Sequence, residues 1–182
     1  MDYKICELNF IKDDYDNFMT DCFNAKKKFD TIFPETSSTW KYSQYNIFSL
    51  TMGSERFYTL YHEIKKFARD YLKTDKPLWM QSWLNFHKMH EVLEWHDHSN
   101  CSAHGYVSIN PMKTKTIFED YVVDNEIGKM YIGKPHMKHK VVNIEPYEDT
   151  RITVAFDIVD MSDYEDIKEK FGNHINLGYI PI

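Results

Sequence analysis

Trp95-His96-Asp97-His98-Ser99 is the stretch that organises the rest of the sequence, because two histidines stand one residue apart in it. In an extended chain successive side chains alternate between faces, so His96 and His98 point the same way and Asp97 points the other way. Two imidazoles on one face of a strand supply half of a metal site. The pair therefore predicts a metal centre if another segment provides a third ligand.

The composition is that of a folded protein. The chain has 182 residues, of which 42% are hydrophobic and 16% aromatic, and its net charge is −6. An acidic chain is a poor match for the phosphate backbone of nucleic acid. The three cysteines are few and widely spaced, and no stretch has the character of a signal peptide or a membrane span. We expect one soluble, cytoplasmic domain with no membrane partner and no extended nucleic-acid binding, and a homodimer is left open.

Hydrophobic periodicity divides the chain (1–182) into a mostly helical part (1–77), a β core (78–160) and a C-terminal helix with a tail (161–182). The helical part begins with a predicted strand at 5–11, then a helix from Asp13 or Asp14 and a second helix capped by Ser54. The β core is rich in aromatic and β-branched residues and predicts strands near 79–87, 91–97, 103–109, 115–122, 129–133, 138–144 and 150–159. A last helix is predicted at 163–171. So many short strands indicate an antiparallel sandwich or barrel.

The third metal ligand has to come from another strand, and two histidines qualify. His136 follows a proline in a predicted turn, whereas His139 begins the apolar run that contains Val141 and Val142. The start of a strand can direct a side chain inward, so we favour His139. Three histidines, or two histidines and a carboxylate, can hold Fe(II), Zn(II) or Mn(II) with open coordination positions.

A rare arginine opens the last predicted strand of the core. Arg151 is one of three arginines in the chain. Alternation gives this strand one bulky apolar face and one face of small or polar side chains, namely Arg151, Thr153, Ala155 and Asp157. Such a face is typical of a strand that lines a pocket, and an arginine at its mouth can form a bidentate pair with a carboxylate. Asn85 and His87 add polar side chains at alternate positions of an earlier strand.

The series Asn85-x-His87, His96-x-His98, His139 and Arg151-x-Thr153 resembles the 2-oxoglutarate and Fe(II)-dependent oxygenases. Further motifs are most similar to those of small oxygenases from marine bacteria and their phages: Trp83-Leu-Asn85, Ala103-His-Gly105-Tyr-Val107, Gly128-Lys-Met130-Tyr-Ile132 and His139-Lys-Val141. Each motif is weak alone, but they occur in order and at compatible spacing across the β core.

The resemblance implies a mainly β fold with flanking helices, in which a double-stranded β-helix (jelly-roll) core packs against the N-terminal helices. It implies Fe(II) bound by His96, His98 and His139, and 2-oxoglutarate bound by Arg151 with help from Asn85, His87 and Thr153. The implied activity is that of a dioxygenase that uses O2 to couple decarboxylation of 2-oxoglutarate to succinate with hydroxylation of a small-molecule or peptidyl substrate.

One position departs from the family pattern. Most members have a carboxylate two residues after the first histidine, where this chain has His98. Asp97 could replace it only if a bulge turned its side chain inward, because adjacent strand residues face opposite ways. We favour His98 as the ligand. Two alternatives stay open: a cupin-type metalloprotein with a three-histidine site, and a non-catalytic jelly-roll module with a binding or structural role.

Overall fold

The computed structural model describes residues 2–34, 44–91, 93–98, 100–160, 162–163, 169 and 178–182. The elements in chain order are β1 (Tyr3–Glu7), α1 (Asn9–Asp13), α2 (Tyr15–Ile32), α3 (Ile47–Leu50), α4 (Glu55–Leu72), β2 (Trp79–His87), β3 (Ala103–Asn110), β4 (Thr114–Phe118), β5 (Val122–Asp124), β6 (Lys129–Gly133), β7 (His139–Asn143), β8 (Arg151–Val159) and β9 (Tyr179–Pro181).

The described strands form two antiparallel sheets. The major sheet has six strands in the order β1-β6-β3-β8-β2-β9, and the minor sheet has three in the order β5-β4-β7. The architecture is therefore mainly β with a few helices, as predicted. No helix in the described part of the chain is long and apolar enough to cross a membrane.

The two faces of the major sheet differ in chemistry. Strands β2 and β8 pair over nine residues, from Trp79 opposite Val159 to His87 opposite Arg151, and directly paired residues share a face. The outer face joins the helices in one hydrophobic core, which includes Phe18, Phe57, Ile64, Met80, Leu84, Val154, Phe156 and Ile158. The inner face buries polar side chains, among them Gln81, Asn85, His104, Ser108, Arg151 and Thr153.

Helix α4 forms where the sequence predicts it. The Ser54 hydroxyl accepts a hydrogen bond from the backbone N–H of Phe57 and so caps one of the unpaired donors of the first turn. The buried residues lie at spacings of three and four, which gives the helix one apolar face: Phe57, Leu60, Ile64 and Ala68. This face covers the outer side of the major sheet and contributes nothing to the inner side.

Several predicted boundaries are wrong. The first strand ends at Glu7, because Leu8 turns the chain into α1. The strand predicted at 115–122 is two strands, β4 and β5, joined by a turn in which Phe118 N–H bonds Tyr121 O. The strand predicted at 91–97 is reduced to one isolated bridge at His96. Of the helix predicted at 163–171 only residues 163 and 169 are described, so most of it lies outside the described residues, and the tail adds β9 to the major sheet beside β2.

We expect Ser54→Ala to lower the free energy of unfolding by about 1 kcal/mol, because it removes the cap on α4. The substitution also removes the hydroxyl that donates to Asp21. Thr59→Ala is the control, since Thr59 is exposed on the same helix and alanine has the higher helix propensity. Urea denaturation of both variants measures the difference; equal stabilities would show that the cap is unimportant.

Candidate metal centre

The segment 93–98 runs along β7 and positions the two closely spaced histidines. His96 and His139 exchange both backbone hydrogen bonds, at 3.0 and 2.9 Å. On either side the ladder slips, because Val141 N–H bonds Leu93 O and His98 N–H bonds Pro135 O. A regular ladder through the His96–His139 pair would use residues 94 and 137 instead. The segment is therefore extended beside the minor sheet without forming a regular strand.

Three histidine side chains converge beside this bridge. His96, His98 and His139 each offer a nitrogen, and the three nitrogens lie within 4.8 Å of one another. His139 is 5% exposed, whereas Asp97 and His136 are exposed to solvent. The geometry suits one divalent ion bound by three imidazoles, an arrangement that leaves coordination positions open for other ligands.

The contacts of the three rings determine which nitrogen faces the ion. The Nδ1 atoms of His96 and His139 lie 2.8 and 3.1 Å from the carbonyl oxygens of Glu94 and Met137. The Nδ1 atom of His98 lies 2.8 Å from Asp157 Oδ1. The carbonyl oxygens only accept hydrogen bonds, so Nδ1 of His96 and of His139 bears the proton of the neutral ring, and the negative charge of Asp157 favours a proton on His98 Nδ1 as well. Nε2 of each ring is then the nitrogen with a lone pair for the metal.

His98 is held on several sides by the inner face of the major sheet. Asp157 on β8 contacts its Nδ1. The His104 ring from β3 stacks against the His98 ring at 4.6 Å between centroids and 7° between planes, and the Trp83 ring from β2 stacks at 6.1 Å. Side chains from three neighbouring strands thus hold the His98 ring, whose own segment has few regular backbone hydrogen bonds.

The electrostatic environment keeps most of the cluster neutral. Burial, followed by repulsion from His96, lowers the pKa of His139 to about 3. Burial also lowers the pKa of His96. Burial opposes the charged form of His98 as well, but the carboxylates of Asp157 and, to a smaller extent, Asp97 outweigh it, and the pKa of His98 is raised. Neutral imidazoles are the form that binds metal, so the cluster is prepared for an ion without having to release protons from His96 or His139.

Arg151 lies further along the inner face, at the start of β8. It is 5% exposed, and its Nη1 donates to His87 Nδ1 at 3.1 Å. His87 is the cross-strand neighbour of Arg151, and burial together with the guanidinium lowers the pKa of His87 to about 4. Among the described residues no carboxylate forms an ion pair with Arg151, and its Nε has no hydrogen-bond partner there.

Polar side chains continue from Arg151 along the same face. Asn85 Nδ2 donates to Thr153 Oγ1 at 3.1 Å, and Asn85 and Ser108 are both the cross-strand partners of Thr153. Within the described part of the chain, Asn85 Oδ1 and Ser108 Oγ are buried without a hydrogen-bond partner. A buried polar atom left unpaired costs about 1–3 kcal/mol, so these atoms indicate a surface that a polar ligand completes.

The structure places the residues singled out in the sequence in two groups on one surface. The first group is His96, His98 and His139; the second is Asn85, His87, Arg151 and Thr153. Their assignment to metal and 2-oxoglutarate stays a prediction. Sequence reasoning assigned no role to Asp157, although alternation along β8 had already placed it on the face of Arg151. The spacing of residues in the sequence does not indicate that Asp157 contacts His98, which lies on a distant segment.

Comparisons with known proteins agree with this architecture. No protein-family model and no curated protein matches the chain. Among solved structures, the non-heme alpha ketoglutarate dependent carbocyclase SnoK from nogalamycin biosynthesis superposes with a TM-score of 0.60 at 10% identity, over 85% of this chain and 79% of that chain. The fold is thus the double-stranded β-helix, as predicted, and identity this low establishes the fold alone.

Two other solved structures superpose less well. The non-heme alpha ketoglutarate dependent epimerase SnoN matches with a TM-score of 0.44 at 10% identity, over 53% of this chain and 52% of that chain. A cupin-2 domain protein from Shewanella frigidimarina matches with a TM-score of 0.34 at 15% identity, over 43% of this chain and 69% of that chain. Neither likeness is close enough to support an argument about function.

We expect His139→Ala to abolish tight binding of one divalent ion, because it removes one of three ligands. His136→Ala is the matched control: this histidine lies three residues away but is exposed and outside the cluster. Isothermal titration with Co²⁺ measures both. Loss of binding in the His136 variant with retention in the His139 variant would contradict the ligand set.

We also expect the metal-free protein to lose stability in acid. His87 and His139 have folded pKa values of about 4 and about 3, whereas an unfolded histidine titrates near ~6.5. Below about pH 6.5 the unfolded chain therefore binds more protons, and the free energy of unfolding falls as the pH falls. The raised pKa of His98 partly opposes this trend.

Thermal melts of the chelator-treated protein between about pH 7 and pH 5 measure this dependence. His139→Gln should flatten the profile, while His62→Gln, on the surface-facing side of α4, should leave it unchanged. The same slope in all three proteins would place the acid sensitivity elsewhere.

Proposed function

We propose that this protein is a 2-oxoglutarate-dependent, non-haem Fe(II) oxygenase, and specifically a hydroxylase that couples decarboxylation of 2-oxoglutarate to succinate with oxidation of a second substrate. The observation that supports this most directly is Arg151: a buried guanidinium on the inner face with no carboxylate partner among the described residues.

A buried charge without a partner is costly, and removing the partner of a buried ion pair typically destabilises a protein by 3–5 kcal/mol. A bound ligand that carries a negative charge removes this cost. A guanidinium binds a carboxylate in a bidentate pair. His87 does not neutralise the guanidinium, because it is neutral and accepts from Arg151 through Nδ1. Arg151 is therefore suited to the far carboxylate of 2-oxoglutarate.

The remainder of the surface suits the other end of the same molecule. Ala155 is the small inner residue of β8 between the Arg151 end and the metal end, opposite Trp83 and Tyr106. A small side chain there leaves room between the two groups. Thr153 and Ser108 offer hydroxyls along this path, and the three histidines leave coordination positions for a chelating keto acid.

The chain's own residues have distinct roles in this proposal. His96, His98 and His139 would hold Fe(II), which when bound supplies the activation of O2 and the oxidising power of the reaction. Arg151 fixes the orientation of 2-oxoglutarate, with Asn85 and Thr153 as hydrogen-bonding neighbours. Two buried aromatic rings contact the cluster and help to exclude water, Trp83 beside His98 and Phe118 beside His139.

A cupin-type metalloprotein is the second candidate, and the three-imidazole cluster itself favours it. Such a protein would use the same His96, His98 and His139 without any need for Arg151. A non-catalytic jelly-roll module would need neither group. Metal binding distinguishes the oxygenase and the cupin from the non-catalytic module. Binding of 2-oxoglutarate through Arg151 distinguishes the oxygenase from the cupin.

The substrate is proposed only as a class, a small molecule or a peptidyl side chain. A cytoplasmic location stays a prediction, supported by three cysteines that are all free in the structure. The resemblance to oxygenases of marine bacteria and phages is likewise a prediction about origin, on which the structural matches have no bearing.

We expect Arg151→Met to weaken 2-oxoglutarate binding by about 2 kcal/mol or more, roughly 30-fold, while Co²⁺ binding is retained. Because a buried unpaired charge is replaced by an apolar chain of similar length, the ligand-free protein should melt at the same or a higher temperature. Titration calorimetry and thermal melts measure the two effects. Lys140→Met, on the opposite face of β7 over Trp95, is the control for nearby positive charge.

The activity itself is tested by succinate release. Anaerobic Fe(II) with 2-oxoglutarate should give a visible charge-transfer band, and admission of O2 should yield succinate even without a second substrate, at a low rate. Both signals should be absent in His139→Ala and in Arg151→Met at moderate 2-oxoglutarate. A protein that binds metal yet gives neither signal would support the cupin reading. A succinate screen over candidate substrate classes then identifies the second substrate.

A further inference from the structure

The three-histidine cluster has a charge deficit compared with the usual arrangement of two histidines and a carboxylate. Neutral imidazoles leave both charges of a divalent ion uncompensated by its protein ligands. A buried ion without a nearby anion is unfavourable, because the protein interior has a low effective dielectric constant. In the absence of 2-oxoglutarate, a nearby carboxylate that is not itself a ligand would reduce this deficit and help the site to retain metal, as the proposed function requires.

Asp157 is placed to meet that deficit. Its Oδ1 lies 2.8 Å from His98 Nδ1, and the side chains of both residues are 16% exposed. Asp157 lies on the inner face of the major sheet, paired across β8 and β3 with His104. The His104 ring in turn stacks on both His98 and His139, at 4.6 and 4.9 Å. The carboxylate is therefore held in the layer of side chains that supports the ligands.

We propose that Asp157 supplies, through His98, the negative charge that a carboxylate ligand supplies elsewhere, and so determines how tightly the centre holds a divalent ion. This rests on the proposed metal site. A carboxylate that accepts from Nδ1–H makes the imidazole a stronger donor at Nε2 and fixes the ring toward the ion. Asp157 is a positioning residue, since it acts on the metal through His98.

Asp97 is the competing carboxylate, and its location argues against it. It adjoins both His96 and His98 in sequence, but its side chain is exposed to solvent. Water and salt screen an exposed charge much more strongly than a buried one. Asp97 is the carboxylate nearest to the two histidines in sequence. Asp157 is less exposed, so solvent screens its charge less and its effect on the metal centre is larger.

The test compares Asp157→Asn with Asp97→Asn in the full chain, using Co²⁺ alone as the probe. Asparagine keeps the shape of aspartate and an oxygen that accepts from His98 Nδ1, so it removes mainly the charge. We expect Asp157→Asn to weaken Co²⁺ binding by about 10- to 100-fold and to alter the visible Co²⁺ spectrum. Asp97→Asn should retain wild-type affinity and spectrum. Thermal melts of the metal-free variants show whether either substitution disturbs the fold.

A second comparison moves the charge instead of deleting it. In His98→Asp/Asp157→Asn a carboxylate becomes a direct ligand while the outer one is removed. If charge limits metal retention, this double variant binds Co²⁺ more tightly than Asp157→Asn alone. Binding no tighter than in the single variant would overturn the proposal.

The outcomes separate this inference from the proposed function. Absence of Co²⁺ binding in the wild-type chain would remove the metal site and both conclusions with it. Wild-type binding with an unaffected Asp157→Asn, or an equal loss in Asp97→Asn, would overturn only the role of Asp157. Loss of 2-oxoglutarate binding with normal Co²⁺ affinity would overturn only the oxygenase.

Discussion

The contact between Asp157 and His98 joins the two parts of the candidate centre, and the rest of the site depends on it. His98 belongs to a segment whose ladder with β7 slips on both sides of a single bridge. Asp157 belongs to β8, which is paired with both β2 and β3. Because Asp157 is partly buried and an inward-facing His98 offers it a positively polarised N–H, the contact favours that orientation of His98. The major sheet therefore sets the position of a ligand that the minor sheet leaves weakly constrained.

The division of the major sheet into two faces explains how the fold accommodates such a site. The outer face packs Val154, Phe156 and Ile158 against the helices and accounts for most of the hydrophobic core. That burial allows the inner face to keep polar groups that lower stability, among them atoms of Arg151, Asn85 and Ser108 that have no hydrogen-bond partner in the described part of the chain. Each unsatisfied atom costs about 1–3 kcal/mol in the ligand-free protein. Their retention is typical of a surface adapted to a ligand at the expense of stability.

The fold was largely predictable because its strands obey a simple period. Alternation and β propensity predicted both ends of β2 and β6 correctly and the ends of β8 to within one residue. The Ser54 cap predicted the start of α4. The segment around His96 was harder, since its irregular hydrogen bonds with β7 depend on tertiary contacts that no local pattern encodes. The same limit applies to Asp157: alternation gives the face on which it lies, but only the packing of β8 against the segment 93–98 shows what it contacts.

Charge balance connects the two ends of the inner face. If the centre holds a divalent ion and 2-oxoglutarate, the positive charges are those of the ion and Arg151, and the negative charges are those of Asp157 and the two carboxylates of the ligand. These cancel, as they would if a carboxylate at position 98 took the place of Asp157. Replacing that carboxylate by His98 without Asp157 would leave a net positive, water-poor site, which is costly at low dielectric. His98 and the aspartate on β8 are therefore best understood together, because Asp157 would supply beside the centre the charge that His98 does not supply as a ligand.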